Sequence, residues 1–215
     1  MRLLPDAPFP GTQPGEGRIA AITVDLYRGI RYFLRFQGGH MKIRNTLRIP
    51  IGFIAGIFFL WSADPTPRSF LFGTLIMLFG ETIRFVSAGT LIKFEGVTRN
   101  GIYAFVRNPL YLGSFFMGAG ACIAGRTVPF AIVFLALFPV IYLRVIRREE
   151  TWLTGRYGDA YVTYLREVPR IVPRRIDARE IFRETSPFLA VKNRELRTVA
   201  GLAAVIVFMA VKLVA

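Results

Sequence analysis

Hydrophobic positions along this chain gather into runs, and polar positions gather between them. Five runs stand out: Leu47 to Trp61, Ser69 to about Phe85, Leu110 to Ala124, Val128 to about Val145, and Thr198 to Val214. Several fall short of the roughly 20 residues of a straight bilayer span, so they must tilt or extend into their charged flanks. The first two are joined by "SADPTPR", whose two prolines and Asp64 make a tight turn. A second short turn, "GRT", joins the third to the fourth. Upstream, Ile19, Ile22, Leu26, Ile30 and Phe33 recur at helical spacing, with Arg28, Arg31 and Arg35 interspersed. That pattern predicts an amphipathic helix at a membrane surface over 18–40, with a soluble docking helix as the other reading. Residues 1–17 are rich in Pro and Gly without periodicity, which predicts disorder. No apolar stretch of signal-peptide type follows Arg2. Met41 opens "MKIRNTLRIPIGF", itself a plausible start, so the first forty residues read as a peripheral extension. The expected organisation is a core over 41–174, a connector over 175–197 and a last transmembrane helix over 198–215. The fold class is all-α, a polytopic membrane protein with about five spans.

Composition supports this class. The 215 residues are 53% hydrophobic with a formal charge of +14, and the mean hydropathy is +0.44. A pI near 10.8 would also suit a nucleic-acid binder, but such proteins lack apolar runs of membrane length. No nucleic-acid partner is expected. The single cysteine, Cys122, lies in an apolar run, and the single histidine, His40, lies in "QGGHMK". This pair argues against a disulfide, a zinc site or a Cys–His nucleophile, and no metal is expected.

Basic residues set the expected orientation. Lys42, Arg44 and Arg48 precede the first span. Arg84, Lys93, Arg99 and Arg107 separate the second from the third, and Arg144, Arg147 and Arg148 follow the fourth. The short turns carry only Arg68 and Arg126 as basic residues. By the positive-inside rule, the 86–109 and 146–197 segments both face the cytoplasm, where they can meet.

Those two segments hold the unusual local sequences. In "GETIRFVSAGTLIKFEGVTRNGIYAFVRNPLYLG", residues 80–113, Glu81 and Arg84 fall inside an apolar run at a spacing that allows pairing on one helix face. Such a pair can serve a site or simply lock two helices. Asn108 and Pro109 suit a helix start, but that leaves Arg107, Tyr111 and Gly113 unexplained. In "RREETWLTGRYGDAYVTYLREVPRIVPR", residues 147–174, Glu149 and Glu150 are followed by Trp152, Leu153, Tyr157, Tyr161, Tyr164 and Leu165. Taken alone, the charges would be a solvated run and the aromatics core packing. "GAGACIAG", at 118–125, holds Gly-x-Gly within an apolar run and without a preceding strand, so a dinucleotide fingerprint is rejected. Ser114, Gly118, Gly120 and Ala124 fit close helix packing better.

Together the two segments read Arg-Asn-Pro-Leu-Tyr-x-Gly, two spans, Glu-Glu-x-x-Leu, Tyr-Gly-x-x-Tyr-x-x-Tyr and Val-Pro-x-x-Val-Pro. This pattern, over about residues 70–174, resembles the isoprenylcysteine carboxyl methyltransferase family, which is grouped with the phospholipid N-methyltransferases as integral-membrane enzymes. The resemblance implies a cytoplasm-facing pocket for S-adenosylmethionine. It implies that Asn108, Pro109, Leu110 and Tyr111 border the cofactor, with Gly101 and Tyr103 shaping the loop before them. Asn108 stands where the eukaryotic enzymes have His, a change that resembles bacterial members and implies a bacterial inner membrane. Glu150, or its neighbour Glu149, would meet the amino end of the cofactor. Arg147 and Arg144 are both candidates to hold an anionic acceptor. A carboxylate acceptor is ionised at neutral pH and needs no general base. An amine acceptor would need one, and Glu149 is the candidate. The implied partners are a lipophilic substrate from the bilayer and membrane lipids. Carboxyl O-methylation is favoured; phospholipid amine N-methylation and a non-catalytic cofactor-binding role are the alternatives.

Overall fold

The computed structural model describes residues 56–92 and 96–214. The expectations for 1–17, for the interfacial helix over 18–40, for His40, Lys42, Arg44, Arg48 and Lys93, and for the start of the first run lie outside the described residues. All of the described residues except Gly56 belong to one compact unit, Ile57–Ala215. No strand occurs among them.

After a helical stretch over 56–62 comes α1, Pro67–Thr90. Thr66 and Ser69 form a reciprocal capping box at its start, and Pro67 sits where a missing N–H costs nothing. A 3-10 turn, Gly101–Ala104, precedes α2, Pro109–Ala124. The long α3, Val128–Tyr157, is followed by α4, Asp159–Glu167. Two short helices, α5 (Ala178–Arg183) and α6 (Pro187–Lys192), lead to α7, Leu196–Val214. Among the described residues α1, α3 and α7 are long and apolar enough to cross a membrane, and α2 is a shorter apolar helix.

At 1.5 Å per residue, the 24 residues of α1 and the 19 of α7 reach about 36 and 28 Å, close to a hydrocarbon core of about 30 Å. The 30 residues of α3 reach about 45 Å, so its last turns project beyond. The apolar run there predicts a span ending near Val145, yet the helix continues through "RREE" to Tyr157. That stretch holds no proline, and the helix carries Gly155 before it ends at Gly158, whose φ is 55°. Its apolar part exposes Ile132, Val133, Leu135, Leu137, Val140 and Ile141, as a lipid-facing span does.

The bundle is organised by glycine. A Cβ on Gly80 would lie 2.6 Å from the Gly113 carbonyl oxygen, and one on Gly120 would lie 2.7 Å from that of Gly73. The backbones of α1 and α2 therefore touch at two levels, which lets dispersion contacts form without side chains in between. Ala124 joins that contact, whereas Gly118 faces the Phe134 ring of α3 instead. The expected set of small residues thus serves two different neighbours. Met77 and Ala124 meet Ala63, Leu202 and Met209 in one buried cluster.

One end of the bundle gathers the short turns. Asp64 donates its N–H to the Gly125 carbonyl, and Lys212 on α7 donates to the carbonyls of Leu60, Trp61 and Ala63. The opposite end gathers the long segments. There Asn193 donates to the carbonyls of Ala88 and Leu91 at the end of α1. The expected Glu81–Arg84 pair is corrected. Arg84 turns to Glu195 at 2.8 Å, and also donates to Ser114 at 2.6 Å and Thr198 at 3.3 Å. One guanidinium with several donors thereby ties α1 to α2 and α7, which a partner on its own helix could not do. Glu81 is left buried, with no hydrogen-bond partner for either carboxylate oxygen.

Candidate functional site

The loop before α2 is built first. Gly101 has φ 54°, in the left-handed region, and a Cβ there would lie 2.9 Å from Thr90 and 3.0 Å from Glu184. Only glycine meets both demands without a shift. The turn that follows buries Tyr103 with Val86, Ile102 and Val106 in a second apolar cluster. Burial raises the Tyr103 hydroxyl above its ordinary value.

The chain after α3 then folds back onto this loop. Gly158 redirects it into α4, whose Tyr161 and Tyr164 are buried. Tyr164 donates its hydroxyl to the Tyr103 carbonyl at 2.8 Å. Burial, with nearby Tyr161 adding to it, raises the Tyr164 hydroxyl, so it remains a donor. Tyr161 is pushed up to about 12, by burial first and by the Glu150 carboxylate second. After α4, Pro169 accepts the Arg107 N–H at 2.9 Å, and Arg170 accepts from the Asn108 side chain at 3.1 Å. Asn108 precedes α2, but its side chain makes no cap. It is spent on Arg170 instead.

Glu150 lies at the centre. Its carboxylate meets Arg107 at 3.2 Å and takes two bonds from Arg170, from Nε at 3.1 Å and Nη2 at 2.7 Å. Glu150 and Arg107 are nearly buried, while Arg170 keeps 38% of its side chain exposed. The hydrogen bond to Glu150 raises the Arg170 guanidinium above its ordinary value. A buried carboxylate with two guanidinium partners has its charge and lone pairs well satisfied. The Arg107 Nε is buried without a partner. The adjacent Glu149 accepts from the Tyr111 hydroxyl at 2.6 Å. The Tyr111 ring in turn packs on Tyr142, which stacks on Phe138 at 4.0 Å.

Most of the expected site residues therefore converge. Tyr103, Asn108, Tyr111, Glu149 and Glu150 lie where the segment before α2 and its first turn meet α3, α4 and the chain after it; Pro109 and Leu110 open α2 beside them, and Gly101 lies against Thr90 and Glu184. Arg144 and Arg147 stand exposed on α3, with no ion-pair partner among the described residues. Two residues that sequence reasoning left without a role, Arg107 and Arg170, hold the centre. Arg107 had a signal, an arginine placed directly before Asn-Pro at the mouth of an apolar run. The signal for Arg170 was weaker: one charge inside "VPRIVP".

The arrangement offers carboxylates, a buried guanidinium N–H and tyrosines around the end of one helix. That donor set fits a ligand bearing both an ammonium and a carboxylate. The phospholipid methyltransferase family model matches residues 69–160, which takes in "VRNPLY" and "RREE". The protein-S-isoprenylcysteine O-methyltransferase of Schizosaccharomyces pombe is 28% identical over 137 residues, or 61% of this chain. The match spans 58% of that relative's length. No solved structure matches the chain significantly. Both matches bear out the resemblance to the membrane methyltransferases read from the sequence motifs.

Proposed function

We propose that this chain is an integral-membrane methyltransferase that takes its methyl group from S-adenosylmethionine and delivers it to a lipophilic acceptor from the bilayer. The observation that carries this reading is the convergence of "VRNPLY" with "RREE" and the tyrosines of α4 at one end of the apolar helices. The matches to phospholipid and isoprenylcysteine methyltransferases support the chemistry. We read the chain as having about five spans, in a bacterial inner membrane, with this end facing the cytoplasm. The basic residues around 84–107 and 144–148 support that orientation.

When bound, the cofactor supplies a methyl group on a sulfonium sulfur, which an acceptor displaces in line. The residues of the chain have the tasks of alignment and water exclusion, effects that can reach about 7–11 kcal/mol. Gly101 and Tyr103 shape the loop, while Asn108, Pro109, Leu110 and Tyr111 border the cofactor. Glu150 or Glu149 meets its ammonium, and the unpartnered Nε of Arg107 suits its carboxylate. Glu150 is already held by two arginines and Glu149 by one tyrosine, so Glu149 has the freer lone pairs. Arg147 and Arg144, exposed on the same helix, would hold an anionic acceptor, and a carboxyl acceptor is favoured on that account. A phospholipid amine is the second reading. The family matched over 69–160 favours it, and Glu149 would then take the amine proton.

The test is to incubate the purified full chain with methyl-tritiated cofactor and membrane extract. Label released as methanol by base indicates a methyl ester, and stable label in phospholipid indicates the amine reaction. Cofactor binding with no labelled product would leave the non-catalytic reading.

A further inference from the structure

A cavity of about 350 Å³ opens between residues 99–105 and residues 164–175. Arg99, Arg174 and Arg175 line it, with Glu167 the single acidic group in its wall and Phe105 and Tyr164 forming its apolar floor. Arg99 is held in place by the Ala160 carbonyl and lies over the Tyr164 ring. Arg175 lies over the Phe105 ring at 5.7 Å. Aromatic contact fixes Arg175 without neutralising it, whereas Arg99 also faces Glu167 at 3.9 Å. Neither Arg174 nor Arg175 has an ion-pair partner among the described residues. The wall therefore carries three positive charges against one negative.

The surroundings are apolar in a particular way. Val172 is 76% exposed and Ile176 70%, and Phe182 and Phe188 also stand out from the surface. Bulky apolar side chains interspersed with Arg174, Arg175, Arg179 and Arg183, and with Asp177, Glu180 and Glu184, suit a segment lying in the headgroup layer. The connection is short from this segment to α7, and the preceding α4 leaves the projecting end of α3. The cavity thus sits at the level where the spans end.

The geometry points to a binding site for the phosphate of a lipid headgroup of net negative charge. Guanidinium groups bind phosphate through paired N–H donors, and the exposed apolar residues beside the cavity would enter the acyl boundary of the same leaflet. A zwitterionic headgroup would bring its own ammonium towards three arginines and bind less well.

The experiment uses the full chain purified in detergent, titrated with phosphatidylglycerol or with phosphatidylcholine and followed by native mass spectrometry. Phosphatidylglycerol is expected to bind at least tenfold more tightly. Arg174→Gln with Arg175→Gln should weaken it by about 30-fold, and Arg174→Gln alone by about fivefold, from the usual contribution of a basic residue at an anionic surface. The single variant serves if loss of the Phe105 contact unfolds the double one. Arg174→Lys with Arg175→Lys should keep most of the affinity. Equal affinity for the two lipids, or glutamine variants that bind like wild type, would overturn the proposal. Displacement of phosphatidylglycerol by inorganic phosphate at equal concentration would overturn the lipid as occupant and assign the cavity to a free anion.

Discussion

Replacing Glu150 by Gln tests whether the carboxylate between Arg107 and Arg170 holds the loop, α3 and the 168–175 segment together. The amide keeps the volume but offers a neutral oxygen to two guanidinium groups. The Arg107 link is nearly buried on both sides, at 10% and 8% exposure, so its charge-assisted bond is worth about 1.5–3 kcal/mol. The Arg170 link is shorter but opens to solvent, which limits it to about 1 kcal/mol. Together they give about 3 kcal/mol, or a melting temperature lower by roughly 6–12 °C for a chain of this size. Arg107→Gln should cost a similar amount, because it leaves the carboxylate half-paired. The double variant Glu150→Gln with Arg107→Gln should cost little more than either alone, since no buried charge is then left facing a lost partner. Glu167→Gln is the control; its pair with Arg99 is exposed and 3.9 Å apart. Thermal unfolding in detergent reads the stability of all four variants, and calorimetry reads cofactor affinity in the same samples. Single variants that melt with the wild type, or effects that simply add, would refute the clamp. A loss of affinity without a loss of stability would make Glu150 a ligand group alone.

Gly80→Leu should abolish accumulation of folded protein, because its Cβ would lie 2.6 Å from the backbone oxygen of Gly113; a monodisperse detergent peak at wild-type yield would refute that packing. Alkaline pH should destabilise the chain through Tyr161. Its folded value, about 12, lies above the unfolded value of about 10, so this stabilisation is complete below pH 10 and is lost as pH rises through 12. Tyr161→Phe should flatten the melting-temperature profile between those limits, and an unchanged profile would show that the hydroxyl titrates freely.

What the sequence determined by itself was local. Apolar runs bounded by Thr-Pro, Asn-Pro and Thr-Val-Pro are enough to make helices, because periodicity, a proline in the first turn and, at Thr66, a capping box involve residues a few positions apart. The motif segments could be recognised for the same reason, each being continuous in the chain. The apolar run marks the span, and the helix continues about a dozen residues past it. Helix propagation follows backbone compatibility rather than hydropathy, and polar "RREETWLTGRY" holds no proline and only one weak helix former, Gly155, which the helix tolerates.

Pairing was decided only by tertiary structure. Arg84 had an acceptable partner three residues away in Glu81 and instead bonds Glu195, 111 residues downstream. The 86–109 and 146–197 segments could be expected to meet, but not that Glu150 would be enclosed by Arg107 and by Arg170, 20 positions later. A guanidinium can satisfy any carboxylate that the folded backbone brings within reach, so composition leaves the choice open. The backbone geometry closes it. Gly73, Gly80, Gly113 and Gly120 let α1 and α2 touch, and the turn at Gly158 folds α4 back against Tyr103. Once those approaches are made, Arg84, Arg107 and Glu150 take partners that restore what each lost in leaving water, while Glu81 is left without one.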